Sequence, residues 1–234
     1  MSFESQTVMV TGAAGNLGQA VAAAFSSQGA RLVLIDRQRD SLQAAFGDEG
    51  DHRLFLAADL LDCPQVAAAL AAAVARFGRV DVLCNLAGGF RMGEAVHETT
   101  DSTWDLLMNI NARTLLNTAR AVVPHMLQSG GGKIVNVGAH AAQKSAAQMG
   151  AYCASKSSVI RLTEAMAAEL RSRNINVNCV LPTIIDTPEN RASMPQAEPL
   201  HWVAPQDLAS VIVFLASGAA KAIHGAVLPV AGLS

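Results

Sequence analysis

The chain has 234 residues, 51% hydrophobic and 15% charged, with a formal net charge of −2 at neutral pH. That length suits one α/β domain with a large apolar core, and the near-neutral balance gives neither a basic footprint for nucleic acid nor a single-sign field for a membrane surface. Cys63, Cys84, Cys153 and Cys179 show no CxxC or Cys/His spacing, which argues against a disulfide framework or a metal site and predicts reduced, mostly buried thiols.

Residues 1–6 contain Glu4 and no basic cluster, and the apolar run that follows is too short for a signal peptide. The TVMV run at 7–10 reads as a strand. Residues 17–28 read as a helix that places Leu17, Val21, Ala24 and Phe25 on one face. A second strand, Arg31–Asp36, is entered through Gly29, and a third lies at 54–57. An alanine-rich helix is predicted at 65–77, started by Pro64, and a fourth strand at 80–84. Residues 103–128 read as one helix that Pro124 kinks or breaks. A strand at 133–137, a helix at 152–172, a strand at 175–181, a helix at 206–217 and a strand at 226–230 follow. The apolar stretch 211–230 is interrupted by Lys221 and His224 and falls short of the ~20 residues of a membrane span, so a cytoplasmic protein is expected.

Strand alternating with helix implies parallel pairing through right-handed crossovers. The strands are continuous apolar runs, as in a sheet covered on both faces. The expected fold is α/β: a single doubly wound Rossmann-type domain over 1–234, with about seven parallel strands and helices on both faces. Segments 88–101 and 183–205 fit no element. Each follows a strand at its C-terminal end, where ligands sit in such sheets. The second is rich in Pro and turn residues and reads as a substrate loop or mobile lid.

Residues 11–18 read TGAAGNLG between the first strand and the first helix. Glycines there permit a tight turn and let a pyrophosphate approach the backbone and the N–H groups of the helix start. Gly12, Gly15, Asn16, Leu17 and Gly18 are therefore candidate cofactor-binding residues. Asp36 ends the second strand about 20 residues later, where a carboxylate accepts from ribose hydroxyls and repels a 2′-phosphate. That favours NAD(H). Arg37, which could pair with a 2′-phosphate, keeps NADP(H) open. Tyr152 and Lys156 lie four apart, one turn along one helix face. A neighbouring ammonium is expected to lower the phenol from its ordinary ~10 towards working pH, so that Tyr152 exchanges a proton while a nicotinamide exchanges hydride.

With these residues in place, the chain resembles the short-chain dehydrogenase/reductase family over nearly all of residues 8–230. The resemblance rests on the glycine turn, Asp36, the Asp59–Leu60 pair, the NLAG run at 85–88, Asn111, the YCASK run at 152–156, and Pro182 followed by Ile185 and Thr187. It implies that Asp59 and Leu60 flank adenine, that Asn85, Ala87 and Gly88 support the cofactor side of the sheet, and that Pro182, Ile185 and Thr187 meet the nicotinamide carboxamide. Lys156 would also hold the nicotinamide ribose, and Asn111 would keep a proton-relay water, giving a catalytic set of Tyr152, Lys156 and Asn111. A small-molecule substrate and a homodimer or homotetramer, formed through apolar faces of the 103–128 and 152–172 helices, are further implications.

Two positions depart from the family pattern. Asn16 replaces the middle glycine of the turn, tolerated because Asn accepts φ > 0 better than other side chains. Ala139 stands thirteen residues before Tyr152, where the family carries a catalytic serine. The quinonoid dihydropteridine reductase branch also has alanine there. It is similar in its glycine turn, in the AGGF run at 87–90, in Gly138-Ala139 before a basic residue, here His140, and in the LPTIIDTPENRASMP run at 181–195. That likeness implies an NADH-dependent reductase. A generic alcohol or ketone dehydrogenase and an NAD(H)-binding sensor without turnover are the alternatives. His140, Ser145 and Gln148 are candidate substrate contacts that loop polarity explains equally well, and Cys153 reads as packing.

Overall fold

Apolar runs too short to bury themselves as helices pair edge to edge, and the most buried of them lie inside the sheet rather than at its edges. In the computed structural model, which describes residues 2–233, β1 (Thr7–Thr11) and β6 (Ile175–Pro182) are buried at every position. With β2 (Arg31–Asp36), β3 (Arg53–Ala57), β4 (Val82–Asn85), β5 (Gly132–Val137) and β7 (Val227–Val230) they form a seven-stranded sheet in the order β3-β2-β1-β4-β5-β6-β7. Every pairing is parallel. The doubly wound fold expected from the sequence is the fold observed. Met1 and Ser234, the ends of the expected 1–234 domain, lie outside the described residues.

The pleat sorts side chains between two layers. Val8, Val10, Val82, Val135 and Val180 pack towards α1 (Asn16–Ser26) and α8 (Pro205–Ala216). Met9, Val33, Leu83, Ile134 and Val177 face α3 (Cys63–Phe77) and α5 (Thr114–Gln128). Each such apolar side chain contributes about 1.5–3 kcal/mol by leaving water. The strand order reverses between β1 and β4, so a crevice opens at their carboxyl ends. Helix α2 (Arg39–Phe46), which the sequence reading passed over, buries only Leu42.

The long helix expected at 103–128 is divided, and not at Pro124. Helix α4 (Asp101–Met108) gives way to a π-helical turn, Asn109–Arg113, before α5 runs through Pro124 to Gln128. An internal proline removes one backbone donor. Here the buried Val122 and Met126 anchor the helix on either side of it. The π turn is fixed by tertiary bonds of Asn111. Helix α6 (Gly150–Leu170) follows β5. Segment 183–205 carries its own helix, α7 (Pro188–Ser193). Its base is pinned where Val203 pairs with Ile185 and Trp202 is buried. Among the described residues no helix is long and apolar enough to cross a membrane.

A buried polar chain ties the sheet to one helical layer. Thr118 donates to Asn85 Oδ1 at 2.8 Å, Asn85 Nδ2 donates to Asn136 Oδ1 at 2.9 Å, and Asn136 Nδ2 donates to Thr163 Oγ1 at 2.9 Å. Buried donors left unpaired are costly. Asn136→Ala strands the Asn85 amide and is expected to lower unfolding free energy by about 2 kcal/mol, read as a drop in urea midpoint at unchanged slope.

Candidate active site

The site grows from the carboxyl ends of β1 and β4. Thr11 Oγ1 accepts the N–H groups of Leu86 and Ala87, at 3.1 and 3.2 Å, and so binds the two strand ends together. Gly12 has φ +63°, and a Cβ there would stand 3.0 Å from the Ala87 Cα. A Cβ on Gly18 would stand 2.4 Å from the Gly12 carbonyl oxygen. These two glycines are required by the turn itself. Gly15 is exposed, with φ −71°, and caps α1 without a side-chain bond. The first-turn N–H groups of α1 are thus left without a side-chain cap, as an anion-binding helix start needs. Asn16 does not use a positive φ, contrary to the reason given for tolerating it: it is the first residue of α1, and the non-glycine residues with positive φ are Ser5, Gln148 and Asn174 among those described. Its Nδ2 donates instead to Glu189 Oε2 at 2.9 Å. Leu17 packs against the core.

Asp36 closes this end of the crevice. Its Oδ2 accepts Ala14 N–H at 3.0 Å and its Oδ1 accepts Arg37 N–H at 2.8 Å. A carboxylate so fixed keeps lone pairs for the two hydroxyls of a ribose. Arg37 is exposed. Asp59 is exposed and accepts Leu61 N–H at 2.9 Å, while Leu60 is buried. The glycine turn, the uncapped α1 and Asp36 fit an adenine dinucleotide. Asn85 supports this edge from inside, because both ends of its amide are engaged in the buried chain. Pro182 ends β6, Ile185 lies in the bridge to Val203, and Thr187 caps α7 by accepting Asn190 N–H at 3.2 Å.

Tyr152 and Lys156 lie in the first two turns of α6, and Asn111 lies in the π turn beside them. Asn111 Oδ1 accepts Gly89 N–H at 2.9 Å, while its Nδ2 donates to the Gly89 carbonyl and to Ser155 Oγ, both at 3.0 Å. Ser155 in turn donates to the Tyr152 carbonyl at 2.7 Å. One side chain therefore joins the strand loop, the π turn and α6. A Cβ on Gly88 would stand 2.8 Å from Asn111 Oδ1 and 3.1 Å from Lys156 Nζ, so glycine there lets all three elements meet. Lys156 is only 6% exposed and donates to the Val137 carbonyl at 2.9 Å. Burial lowers its pKa to about 8.

Tyr152 departs from expectation. Burial, with a smaller contribution from Cys153, pushes its phenol up to about 12. Desolvation thus outweighs the help expected from Lys156, whose ammonium is directed at Val137. The side chain stands as a phenol, a proton donor. Among the described residues no group hydrogen-bonds its hydroxyl. Its ring meets Phe90 edge to face, centroids 4.8 Å apart at 84°. Ala139 is buried, and nothing at that position offers a hydroxyl. His140 and Ser145 are exposed. Gln148 holds φ +61°, and its carbonyl accepts Gly93 N–H at 3.0 Å across the mouth of the site. A crevice beside Tyr152 is lined by Arg91, Met92, Glu94, Gln148 and Met149. A cavity of about 650 Å³ opens elsewhere, between α1, α2 and the start of α8, and none of the proton-handling groups lines it. No cluster of three or more His, Cys, Asp or Glu suited to a metal occurs among the described residues. Ser155, Gly89 and the Val137 carbonyl were not anticipated. Their roles come from long-range contacts that carry no periodic signal.

A family model described as short chain dehydrogenase matches residues 6–198. The chain is 36% identical to a D-threitol dehydrogenase of Mycolicibacterium smegmatis, with 98% of this chain and 93% of that protein covered. Among solved structures, a 3-ketoacyl-(acyl-carrier-protein) reductase from Brucella melitensis complexed with NADH is 30% identical, with a TM-score of 0.89, over 99% of this chain and 98% of that one. An NAD+-bound xylitol dehydrogenase is 25% identical, with a TM-score of 0.90, over 99% of this chain and 100% of that one.

A lysine whose pKa falls on folding binds fewer protons in the native state, so its burial costs stability below about pH 8 and the cost fades as pH rises towards 10.5. Lys156→Met removes that cost. The unfolding free energy of the variant relative to wild type is expected to fall as pH goes from 8 to 10, by up to about 3 kcal/mol over the full window. Urea titrations at several pH values check this, and a difference independent of pH would contradict it.

Proposed function

The chain belongs to the short-chain dehydrogenase/reductase family and is an oxidoreductase of that family, and within it we propose an NAD(H)-dependent reductase acting on a small conjugated C=N or C=O compound, with quinonoid dihydropteridine the first candidate. The observation that carries this reading is Ala139. A dehydrogenase of alcohols gains from a second hydroxyl on the substrate oxygen, and this buried position has none. A conjugated substrate needs a hydride and one proton, which the phenol of Tyr152 can supply. The likeness of the 181–195 run to the dihydropteridine reductase branch supports the same choice.

The nicotinamide, when bound, supplies or takes up the hydride. Asp36 selects the ribose and disfavours a 2′-phosphate. Gly12 and Gly18 close the turn, Gly15 and Asn16 at the start of α1 meet the diphosphate, and Ala87, Gly88, Pro182, Ile185 and Thr187 border the nicotinamide end. Tyr152 gives its proton to the reduced substrate. Lys156, with its pKa near 8, replaces that proton through the relay that Asn111 orders. The exposed face of Phe90, edge-on to Tyr152, offers a platform for a flat ring. The domain is taken as 1–234, and a homodimer or homotetramer through faces of the 103–128 segment, where α4 exposes Trp104 and Leu106, and of the 152–172 helix as the working form.

A second reading, oxidation of a polyol, is favoured by the D-threitol dehydrogenase relative. The decisive experiment follows NADH consumption by the purified protein with freshly generated quinonoid dihydropterin, with NADPH in parallel. NADH is expected to be the better donor, and Tyr152→Phe to lose at least about 100-fold in turnover. Ala139→Ser should leave pterin reduction within about threefold of wild type while raising any NAD+-dependent oxidation of D-threitol, since one added hydrogen bond is worth about 1 kcal/mol. Turnover of D-threitol without any of the pterin would establish the second reading in place of the first.

The cofactor preference is tested separately. Asp36→Ala is expected to narrow the NADH over NADPH preference at least about tenfold, because the carboxylate both accepts ribose hydroxyls and repels a 2′-phosphate. An unchanged ratio would take that role from Asp36.

A further inference from the structure

The one residue of the glycine turn that breaks the family pattern reaches across the crevice to the substrate loop. Asn16 donates its amide to Glu189, 173 positions away. Glu189 follows Thr187 by two residues on α7. Its own backbone N–H, the nearby Thr187 hydroxyl and the Asn16 amide hold the pKa of this carboxylate below that of a free glutamate. One exposed anion thus occupies the amide at the start of α1.

Electrostatics explains why the carboxylate settles there. A helix N-terminus favours negative charge, and α1 has no acidic residue in its first turn and no side-chain cap. Asp186, nearby in sequence, is already neutralised by two bonds to Arg191, at 2.6 and 2.7 Å. Glu189 has no ion-pair partner among the described residues. A dinucleotide would bring its diphosphate to the same helix start. Two anions cannot share the Asn16 amide without close repulsion.

We propose that Glu189 competes with the cofactor diphosphate for Asn16: the carboxylate holds the amide in the free protein, and cofactor binding displaces it. Asn16 then turns its N–H groups to the diphosphate and α7 shifts with Glu189. The pair is an affinity-setting element that weakens NADH binding and speeds its release. This rests on the NAD(H) reading above.

Glu189→Gln separates competition from mere tethering, because a glutamine carbonyl still accepts from Asn16 but carries no charge. The measurement is dissociation constants for NADH, ADP and adenosine, by fluorescence and calorimetry, for wild type and variant at two salt concentrations. NADH and ADP are expected to bind about fivefold more tightly to Glu189→Gln, and adenosine, which has no phosphate, equally well. The gain should shrink at high salt. It should fall below about twofold when Asn16 is also replaced by Ala, as for groups that act through each other. Unchanged or weaker NADH binding to Glu189→Gln, or an equal gain for adenosine, would overturn the competition while leaving the cofactor reading intact. A wild-type protein that binds no NADH would overturn both.

Discussion

The close joining of the chain segments that leave β1 and β4 at their carboxyl ends governs the site. Thr11 accepts two N–H groups from the chain leaving β4, and Gly12 lies so close to Ala87 that no side chain fits between them. The turn suited to phosphates and the loop that carries Gly88 and Gly89 are thereby a single rigid piece. Asp36 joins it through Ala14, and Asn111 joins it through Gly89. A change at Gly12 would move both the nucleotide end and the proton-handling end. The parallel sheet makes this possible, because every strand delivers its loop to the same edge.

The second determinant is the burial of Lys156. An ammonium in this interior is expensive, and a single carbonyl, that of Val137, offsets only part of the cost. The consequence is a lysine whose two charge states are close in free energy near neutral pH. The same burial raises the tyrosine, so the pair divides into a phenol that keeps its proton and an amine that exchanges one readily. Groups whose environments drive their titrations apart suit proton delivery and proton replacement. The π turn serves that division, since it aims Asn111 at Gly89 and Ser155 rather than along a regular helix ladder.

The sheet was legible because burial on both faces writes each strand as an apolar run. Arg31–Asp36 was read to the residue, and the others to within one or two. The glycine turn was legible because the fold leaves no space for a Cβ at Gly12 and Gly18. The break in the 103–128 helix was misplaced because proline is the visible local signal, whereas the real interruption depends on partners of Asn111 at positions 89 and 155. Helix α2 buries one side chain, too little to write a periodic pattern. Sequence placed Tyr152 beside Lys156 correctly but misjudged the electrostatics. Proximity along a helix says nothing about solvent exclusion, and here burial is the larger effect.

Ala139 gives these features a common direction. A site that loses a hydroxyl from the substrate oxygen must either place another donor nearby or take a substrate that does not require one. The loop before Tyr152 holds a strained residue, Gln148, whose backbone is spent on Gly93 and whose side chain is exposed. The ring of Phe90 offers area rather than hydrogen bonds, and 59% of that residue is open to a ligand. Orientation by flat apolar contact, with one phenol as proton donor, suits a planar conjugated acceptor better than a flexible polyol. The Phe90 face itself gives the hydroxyls of a polyol no partner, so a polyol would have to engage Arg91, Glu94 and Gln148 along the crevice instead. In the function proposed above, recognition by stacking and protonation by Tyr152 would be two aspects of one arrangement, because the Phe90 ring packs directly against the Tyr152 ring.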